Sequence, residues 1–207
     1  SEGLIEADRI VAPTVWMLDS LRSSFVLSRG FSRPRNQTAI IYHGRNPVCF
    51  NPYGKKDDSI LAVGRMLDPD AQLGLLTQND HRLPISIVAS NSVPQMPRLP
   101  IRADVKFTTH ESAVSMKGHQ TDAQMRALYS RSAIFVASSR YEPFGMTTVE
   151  AAFSRCAIVA NDIPSFREVW GDSALYFKTN NAANLASTIQ LLSEDRELCR
   201  TYANRAF

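Results

Sequence analysis

The sequence predicts a doubly wound α/β fold, in which helices cover both faces of a parallel β-sheet. From Ile60 onward, short apolar runs recur without the alternation of apolar and polar residues that marks a half-exposed strand. Polar segments carrying helix-start signals separate these runs. Strands that are apolar throughout are buried on both faces, and helices usually connect parallel strands. Ligands of such folds bind at the carboxyl ends of the strands.

The predicted elements follow one another in a regular order. Strands are expected at 9–13, 38–42, 60–63, 85–89, 113–116, 133–137, 157–160 and 174–177. Helices are expected after Thr14, over 68–76, after Thr121, and over 147–154, 164–170, 182–192 and 195–206. Asp68 and Pro69 suit the N-cap and first position of a helix, and Thr121 and Gln124 have the form of a capping box. Residues 46–58 are predicted to be a linker, and the proline-rich stretch 91–112 a surface excursion.

Composition and charge exclude several classes of protein. Hydrophobic residues make up 44% and charged residues 21%, as in ordinary globular domains. The net charge of +3 is too small to indicate nucleic-acid binding, and it is compatible with an anionic small ligand. No apolar run approaches the roughly 18 residues of a membrane span, and the opening residues lack the features of a secretory signal. The three cysteines and four histidines show no metal-ligand spacing, so we expect no metal and a reducing, cytoplasmic location.

Three segments follow predicted strands and should meet at the carboxyl edge of the sheet. They are the turn Gly64–Arg65, the turn Lys117–Gly118–His119 and the loop 138–146. The loop exposes Arg140 and passes through Gly145 into a helix that begins at Met146 or Thr147. A glycine lets the backbone approach a ligand closely, and the unpaired N–H groups of a helix start form an anion site suited to a diphosphate.

Two glutamates flank this loop and are candidates for binding hydroxyl groups. Glu142 lies on the loop and Glu150 about one turn into the helix, with seven residues between them. A carboxylate accepts two hydroxyl hydrogen bonds at once, which suits the diols of a sugar or a ribose. The default alternative is a solvated loop residue for Glu142 and a half-exposed helix residue for Glu150. Arg65 equally suits a cap on a neighbouring element, and Glu168 suits a structural hydrogen bond at a helix end.

The segment Ser138–Ala152 resembles the signature of the group 1 (family 4) glycosyltransferases. The resemblance continues upstream in Ile60–Met66 and Leu128–Tyr129 and downstream in Ile163–Asp172, so that it covers roughly residues 60–206. It implies a Rossmann-like doubly wound sheet that forms the C-terminal half of a GT-B fold. It also implies a retaining transferase that moves a hexose from a nucleoside-diphosphate sugar, such as a UDP or GDP sugar, and needs no cofactor, metal or side-chain nucleophile.

The same resemblance implies a role for each candidate residue. Glu150 would bind the ribose hydroxyls of the donor, and Glu142 would lie beside the transferred sugar. Arg65 would pair with the diphosphate, and the turn at Gly118 and His119 would lie near the base. Sugar hydroxyls and the β-phosphate would be held by the backbone around Phe144, Gly145, Met146 and Thr147.

One departure from the family pattern concerns the diphosphate. The family usually has a lysine a few residues after the Gly-Arg turn, whereas Asp68–Gln72 contains no basic residue. Either another cation supplies the charge, with Lys117 and Arg140 as nearby candidates, or donor binding is weak. The glycine pair that often follows the second strand is replaced here by Ala89 and Ser90.

The resemblance also implies how the chain divides. Residues 1–50 would be the end of an N-terminal domain and the interdomain linker, and 51–207 the donor-binding domain. An acceptor saccharide or lipid-linked saccharide would bind mainly to the missing N-terminal domain, so we expect this piece alone to be inactive. Membrane contact would be at most peripheral, at the inner face. A sugar-nucleotide epimerase and a non-catalytic nucleotide-sugar-binding module remain alternatives.

Overall fold

The structure, a computed structural model, describes residues 7–26, 37–65, 68–90 and 114–207. Its centre is a six-stranded sheet in the order β5-β4-β3-β6-β7-β8, in which every neighbouring pair is parallel. The strands are β3 (Asp57–Arg65), β4 (Ile85–Ser90), β5 (Val114–Lys117), β6 (Ser132–Ala137), β7 (Ala157–Asn161) and β8 (Leu175–Phe177). The predicted doubly wound α/β fold is thereby confirmed.

Helices pack on both faces of this sheet. They are α2 (Asp122–Arg131), α3 (Met146–Phe153), α4 (Pro164–Trp170), α5 (Ala182–Glu194) and α6 (Arg196–Ala206). One buried cluster joins Ile60 and Val136 to α5 and α6, and a second joins Leu61 and Phe135 to α2, α3 and α4. Consecutive residues of one strand enter opposite clusters because side chains alternate across a strand. Both faces of each central strand are therefore buried, which explains its uniformly apolar sequence.

A smaller unit precedes the sheet. Strands β1 (Arg9–Ala12) and β2 (Gln37–Ile40) pair in parallel, and helix α1 (Val15–Val26) follows β1. Thr14 caps α1 as predicted, since its hydroxyl accepts a hydrogen bond from the Met17 N–H at 3.1 Å. The division of the chain at residue 50 remains a prediction. The predicted excursion 91–112 lies outside the described residues.

The predicted helix over 68–76 is wrong. Asp68 accepts a hydrogen bond from the Asp70 N–H through its own side chain, and the only helical turn here is a short 3₁₀ segment, Leu73–Thr77. The carbonyls of Asp70 and Ala71, which an α-helix would use internally, accept hydrogen bonds from the backbone N–H of Arg140 and the hydroxyl of Ser138. Hydrogen bonds to distant residues therefore replace the internal hydrogen bonds of an α-helix in this segment.

The predicted turn at Gly64 and Arg65 is also wrong. Both residues belong to β3 and continue its ladder, opposite Ala89 and Ser90 of β4. A Cβ atom at Gly64 would lie 3.2 Å from Leu73 and 3.3 Å from Ala71, so close packing explains the glycine. The capping box of Thr121 and Gln124 is confirmed, with both of its reciprocal hydrogen bonds present.

Candidate functional site

The carboxyl edge of the sheet has a switch point between β3 and β6. From β3 the chain builds outward to β4 and β5, and from β6 it builds in the other direction to β7 and β8. At such a point the connections leave in opposite directions and open a crevice, which is the usual ligand site of doubly wound sheets. Arg65 ends one of these two strands, and the loop 138–145 begins where the other ends. The fold therefore brings these two predicted segments together.

The loop enters α3 through a glycine in the left-handed region, where a residue with a Cβ would be strained. Gly145 has φ of 88°, and a Cβ there would lie 2.9 Å from the ring of Phe166. The Glu142 carboxylate accepts a hydrogen bond from the Gly145 N–H at 3.1 Å. Within the described ranges, the N–H groups of Met146 and Thr147 have no acceptor. Two backbone donors and the positive end of the α3 dipole consequently point out of the helix start.

The two arginines at this edge are paired with aspartates. Arg65 Nε lies 3.7 Å from an Asp68 carboxylate oxygen, and the Arg140 guanidinium donates a hydrogen bond to the Asp70 carboxylate. Both arginines are exposed, and their partners come from the segment where the family lysine is expected. Acidic residues thus occupy the place of a cation, and they offset part of the positive charge available to a diphosphate.

Glu150 is the most enclosed carboxylate of the site. It is 9% exposed, and its Oε1 accepts a hydrogen bond from Arg45 Nε at 2.6 Å. Arg45 Nη2 lies 2.6 Å from the same oxygen, and the carboxylate raises the pKa of Arg45. Burial, with a smaller contribution from the Glu150 charge, raises the pKa of the Tyr129 phenol. The alternative of a half-exposed helix residue is therefore wrong for Glu150, which is buried.

A pocket of about 230 Å³ opens beside this pair. It lies between the chain segment that follows β2 and the helices α2 and α3. Its lining includes Arg45, Asn46, Phe50, Asp122, Arg126, Tyr129 and Glu150. Charged groups of both signs and two aromatic rings make it suitable for a small polar ligand.

Lys117, Gly118 and His119 lie farther along the same edge. Lys117 ends β5, the outermost strand, which is three strand spacings from β6, or about 14 Å. Gly118 and His119 are exposed, and the Gly118 carbonyl accepts a hydrogen bond from the Gln120 side chain at 3.1 Å. At this separation, these three residues do not contact the loop 138–145. A ligand that touched both would have to be elongated.

Glu168 has a structural role that the sequence alone left open. Its two carboxylate oxygens accept hydrogen bonds from the N–H groups of Val15, at 2.7 Å, and Trp16, at 2.9 Å. The Thr14 hydroxyl donates to the carbonyl of Pro143 at 3.0 Å. Glu168 thus binds the start of α1, and the small N-terminal unit is fastened beside the loop of the candidate site.

Sequence reasoning missed Arg45. In the sequence it lies within residues 1–50, the predicted domain end and linker, and nothing in its spacing relates it to Glu150, 105 residues later. Its basic side chain beside a glycine is the one local signal that could have drawn notice. Among the described residues, no cluster of three metal-ligating side chains occurs, and no helix is long and apolar enough to cross a bilayer.

This geometry defines a class: a doubly wound α/β domain with a glycine-led helix start and two carboxylates at its switch point. The sequence profile of the family described as "Glycosyl transferases group 1" matches residues 102–207. Because this match covers half of the chain, the protein belongs to that family, and the resemblance found in its sequence is confirmed.

Two curated relatives illustrate the similarity. Mannosylfructose-phosphate synthase of Agrobacterium fabrum is 41% identical over 165 residues, which cover 71% of this chain and 36% of the relative. Serotype-specific mannosyltransferase WbdA of Escherichia coli is 31% identical over 70 residues, covering 34% of this chain and 9% of WbdA. The chain thus spans about a third of the first relative and less than a tenth of the second.

Solved structures agree on the fold. Sucrose-phosphate synthase of Thermosynechococcus elongatus superposes with a TM-score of 0.75 at 21% identity, over 98% of this chain and 53% of the other. The pneumococcal O-GlcNAc transferase GtfA, solved with UDP and GlcNAc, has a TM-score of 0.74 at 17% identity, over 100% of this chain and 43% of GtfA. At these identities the likeness concerns the fold alone, that of GT-B glycosyltransferases.

Proposed function

We propose that the whole protein is a retaining glycosyltransferase that moves a hexose from a nucleoside-diphosphate sugar to an acceptor, and that this chain binds the donor. One observation carries the proposal: the family motif folds into a glycine-led helix start between Glu142 and the enclosed Glu150, and two N–H groups there have no acceptor among the described residues. Family membership adds to it. The relatives' names mention mannosyl transfer, and the GtfA structure holds UDP and GlcNAc, so both sugar and base stay open.

The proposed donor pose follows the edge of the sheet. The N–H groups of Met146 and Thr147 would hold the β-phosphate, where the helix dipole favours negative charge. Arg65 would approach the diphosphate from the end of β3 and stabilise charge that develops on the leaving group. The Glu150 carboxylate would accept the ribose hydroxyls, and the base would extend toward Gly118 and His119. This order matches the elongated shape that the distance between β5 and β6 requires.

Glu142 would bind the transferred sugar through its outer carboxylate oxygen. Its Oε1 is already held by the Gly145 N–H, and its backbone carbonyl accepts a hydrogen bond from the Ser165 hydroxyl. Both contacts reduce the freedom of the side chain, and a group oriented in advance costs less entropy on binding. Front-face departure and attack would need no protein nucleophile. The acceptor would bind mainly to a preceding domain.

A second candidate is a non-catalytic module that binds nucleotides. The pairing of Arg65 with Asp68 and of Arg140 with Asp70 favours it, because a transferase needs cationic stabilisation of the leaving diphosphate. Of the two cations expected to replace the missing lysine, Arg140 is paired with Asp70, and Lys117 ends β5, three strands away from β6.

Calorimetry on this chain separates the two candidates. Uridine, UDP, UDP-glucose, guanosine, GDP and GDP-mannose would each be titrated at millimolar concentration. If the chain belongs to a transferase, the diphosphates should bind more tightly than the nucleosides. Glu150→Gln should then weaken the binding of every ribonucleotide. Equal affinity for nucleoside and diphosphate would favour the module. No binding by any of the six would refute both candidates for this chain.

A further inference from the structure

The Arg45–Glu150 pair is asymmetric. Both Nε and Nη2 of Arg45 lie 2.6 Å from one carboxylate oxygen, Oε1. The other oxygen, Oε2, receives neither of these Arg45 contacts. An arginine usually spans both oxygens of a carboxylate in a fork. Here one oxygen is held and the other is left open on an enclosed side chain.

Arg45 is held in place from both sides. Before it in the chain, the rings of Tyr42 and His43 pack on Phe144, with centroids 6.0 and 5.3 Å away. After it, Asn46 caps a short 3₁₀ turn through a hydrogen bond from the Val48 N–H at 3.1 Å. Contacts on both sides of one residue fix where its side chain begins. The position of the guanidinium is therefore built into the segment and does not depend on the side chain alone.

The surroundings of the open oxygen are those of a polar subsite. Phe50, later in the same segment, packs against Tyr129 of α2 and against Phe153 of α3, the helix that carries Glu150. The Tyr129 hydroxyl is buried close to the Glu150 carboxylate, which contributes to the raised pKa of Tyr129. Among the described residues this hydroxyl has no partner in good hydrogen-bond geometry, although buried polar groups normally have one, so the polar groups on this side of Glu150 can still bond to a ligand.

We propose that Arg45 is a positioning residue for the ribose. It holds Glu150 by Oε1 so that Oε2 faces the ligand and accepts the 2′- and 3′-hydroxyl groups of a ribonucleotide. The inference rests on the proposed function, because it assumes that a nucleotide occupies this edge. Ribose selectivity would then depend on the contact between Arg45 and Glu150, which come from two separate parts of the chain. The opposite arrangement, in which Arg45 blocks Glu150 and must leave before ribose binds, predicts the reverse effect of its removal.

Binding measurements with and without ribose hydroxyls test this role. UDP, GDP and ADP, each with its 2′,3′-dideoxy counterpart, would be titrated calorimetrically into wild type, Arg45→Ala and Arg45→Lys. Arg131→Ala is a matched control, because Arg131 forms a similar exposed ion pair with Asp57 at the other end of the sheet. A thermal melt of each variant confirms that it is folded.

We expect Arg45→Ala to weaken ribonucleotide binding about tenfold, because it disturbs one hydrogen bond to a charged group. The dideoxy nucleotide should bind as it does to wild type, and Arg45→Lys should recover part of the loss. In a Glu150→Gln background, Arg45→Ala should change nothing further. The control should bind both nucleotides normally.

Three results would overturn the proposal. Tighter or unchanged ribonucleotide binding by Arg45→Ala means that Arg45 blocks the site or is irrelevant to it. Equal weakening of the ribonucleotide and the dideoxy nucleotide means that Arg45 only supports the local structure. Equal binding of the ribonucleotide and the dideoxy nucleotide by wild type would show that Glu150 makes no ribose contact, although the donor still binds. Failure of wild type to bind any probe would instead refute the proposed function, and with it this inference.

Discussion

Asp70 holds Arg140 by two contacts, one from its side chain and one from its backbone. The Asp70 carboxylate accepts a hydrogen bond from the Arg140 guanidinium, and its backbone carbonyl accepts one from the Arg140 N–H at 2.8 Å. The segment that lacks the family lysine is thereby joined to the loop that carries Glu142. The ion pair and the backbone bond are separable, because only the former depends on the aspartate charge.

Asp70→Asn should release the Arg140 charge while the backbone bond remains. A nearby anion would then experience one uncompensated cation, so we expect UDP or GDP to bind several-fold more tightly at low salt. Calorimetry at two salt concentrations measures this effect. Asp58→Asn is the control, since it breaks a comparable pair with Arg196 at the amino end of β3. Unchanged affinity would show that Arg140 lies outside the reach of the diphosphate.

Gly145→Ala should destabilise the domain and abolish nucleotide binding. The left-handed φ of 88° costs about 1–2 kcal/mol for a residue with a Cβ, and contact with Phe166 adds to it. Urea unfolding gives the loss in free energy, and calorimetry gives the affinity. Gly74→Ala is a suitable control, because nothing lies within 4 Å of its Cβ position. Wild-type stability in Gly145→Ala would mean that the loop adopts another conformation.

Glu168→Ala should loosen the N-terminal unit. Two N–H groups at the start of α1 would lose their acceptors, and caps of this kind contribute about 1–2 kcal/mol. Hydrogen exchange should accelerate in residues 15–26 and stay unchanged in β6 and β7. Glu197→Ala removes an exposed i,i+3 pair with Arg200 and should alter neither region. Uniform acceleration across the sheet would contradict a local role.

Cys156 should make stability fall in alkaline solution. Complete burial raises the pKa of its thiol from 9.0 to about 11, against the opposing charge of Lys56. Between these values the unfolded chain releases the thiol proton and the folded chain keeps it, so stability decreases as pH rises. For a shift of about two pKa units, the decrease approaches about 3 kcal/mol.

Urea unfolding from pH 7.5 to 10.5 tests the role of Cys156. The stability advantage of wild type over Cys156→Ala should shrink above pH 9. The exposed Cys49 provides the control, and Cys49→Ala should follow the wild-type curve. A constant difference between wild type and Cys156→Ala across the range would show that the thiol titrates normally.

Local sequence signals predicted most elements, because their determinants lie within a few residues. Thr14 and Thr121 cap the helices that follow them, and Ala157–Asn161 is buried on both faces. The helix expected after Asp68 failed for the opposite reason. Its carbonyls found partners in the loop at Ser138 and Arg140, about seventy residues away, which no local pattern encodes.

In the candidate site, too, local sequence patterns and tertiary packing determine different features. The sequence by itself determined the fold class, the family and the loop from Arg140 to Glu150, since these depend on periodicity and on one contiguous motif. Tertiary structure decided which distant groups meet: Asp70 with Arg140, Glu168 with α1, and Arg45 with Glu150. Ion pairs between distant segments depend on how the strands are ordered and where the linker runs. Both are properties of the packed molecule.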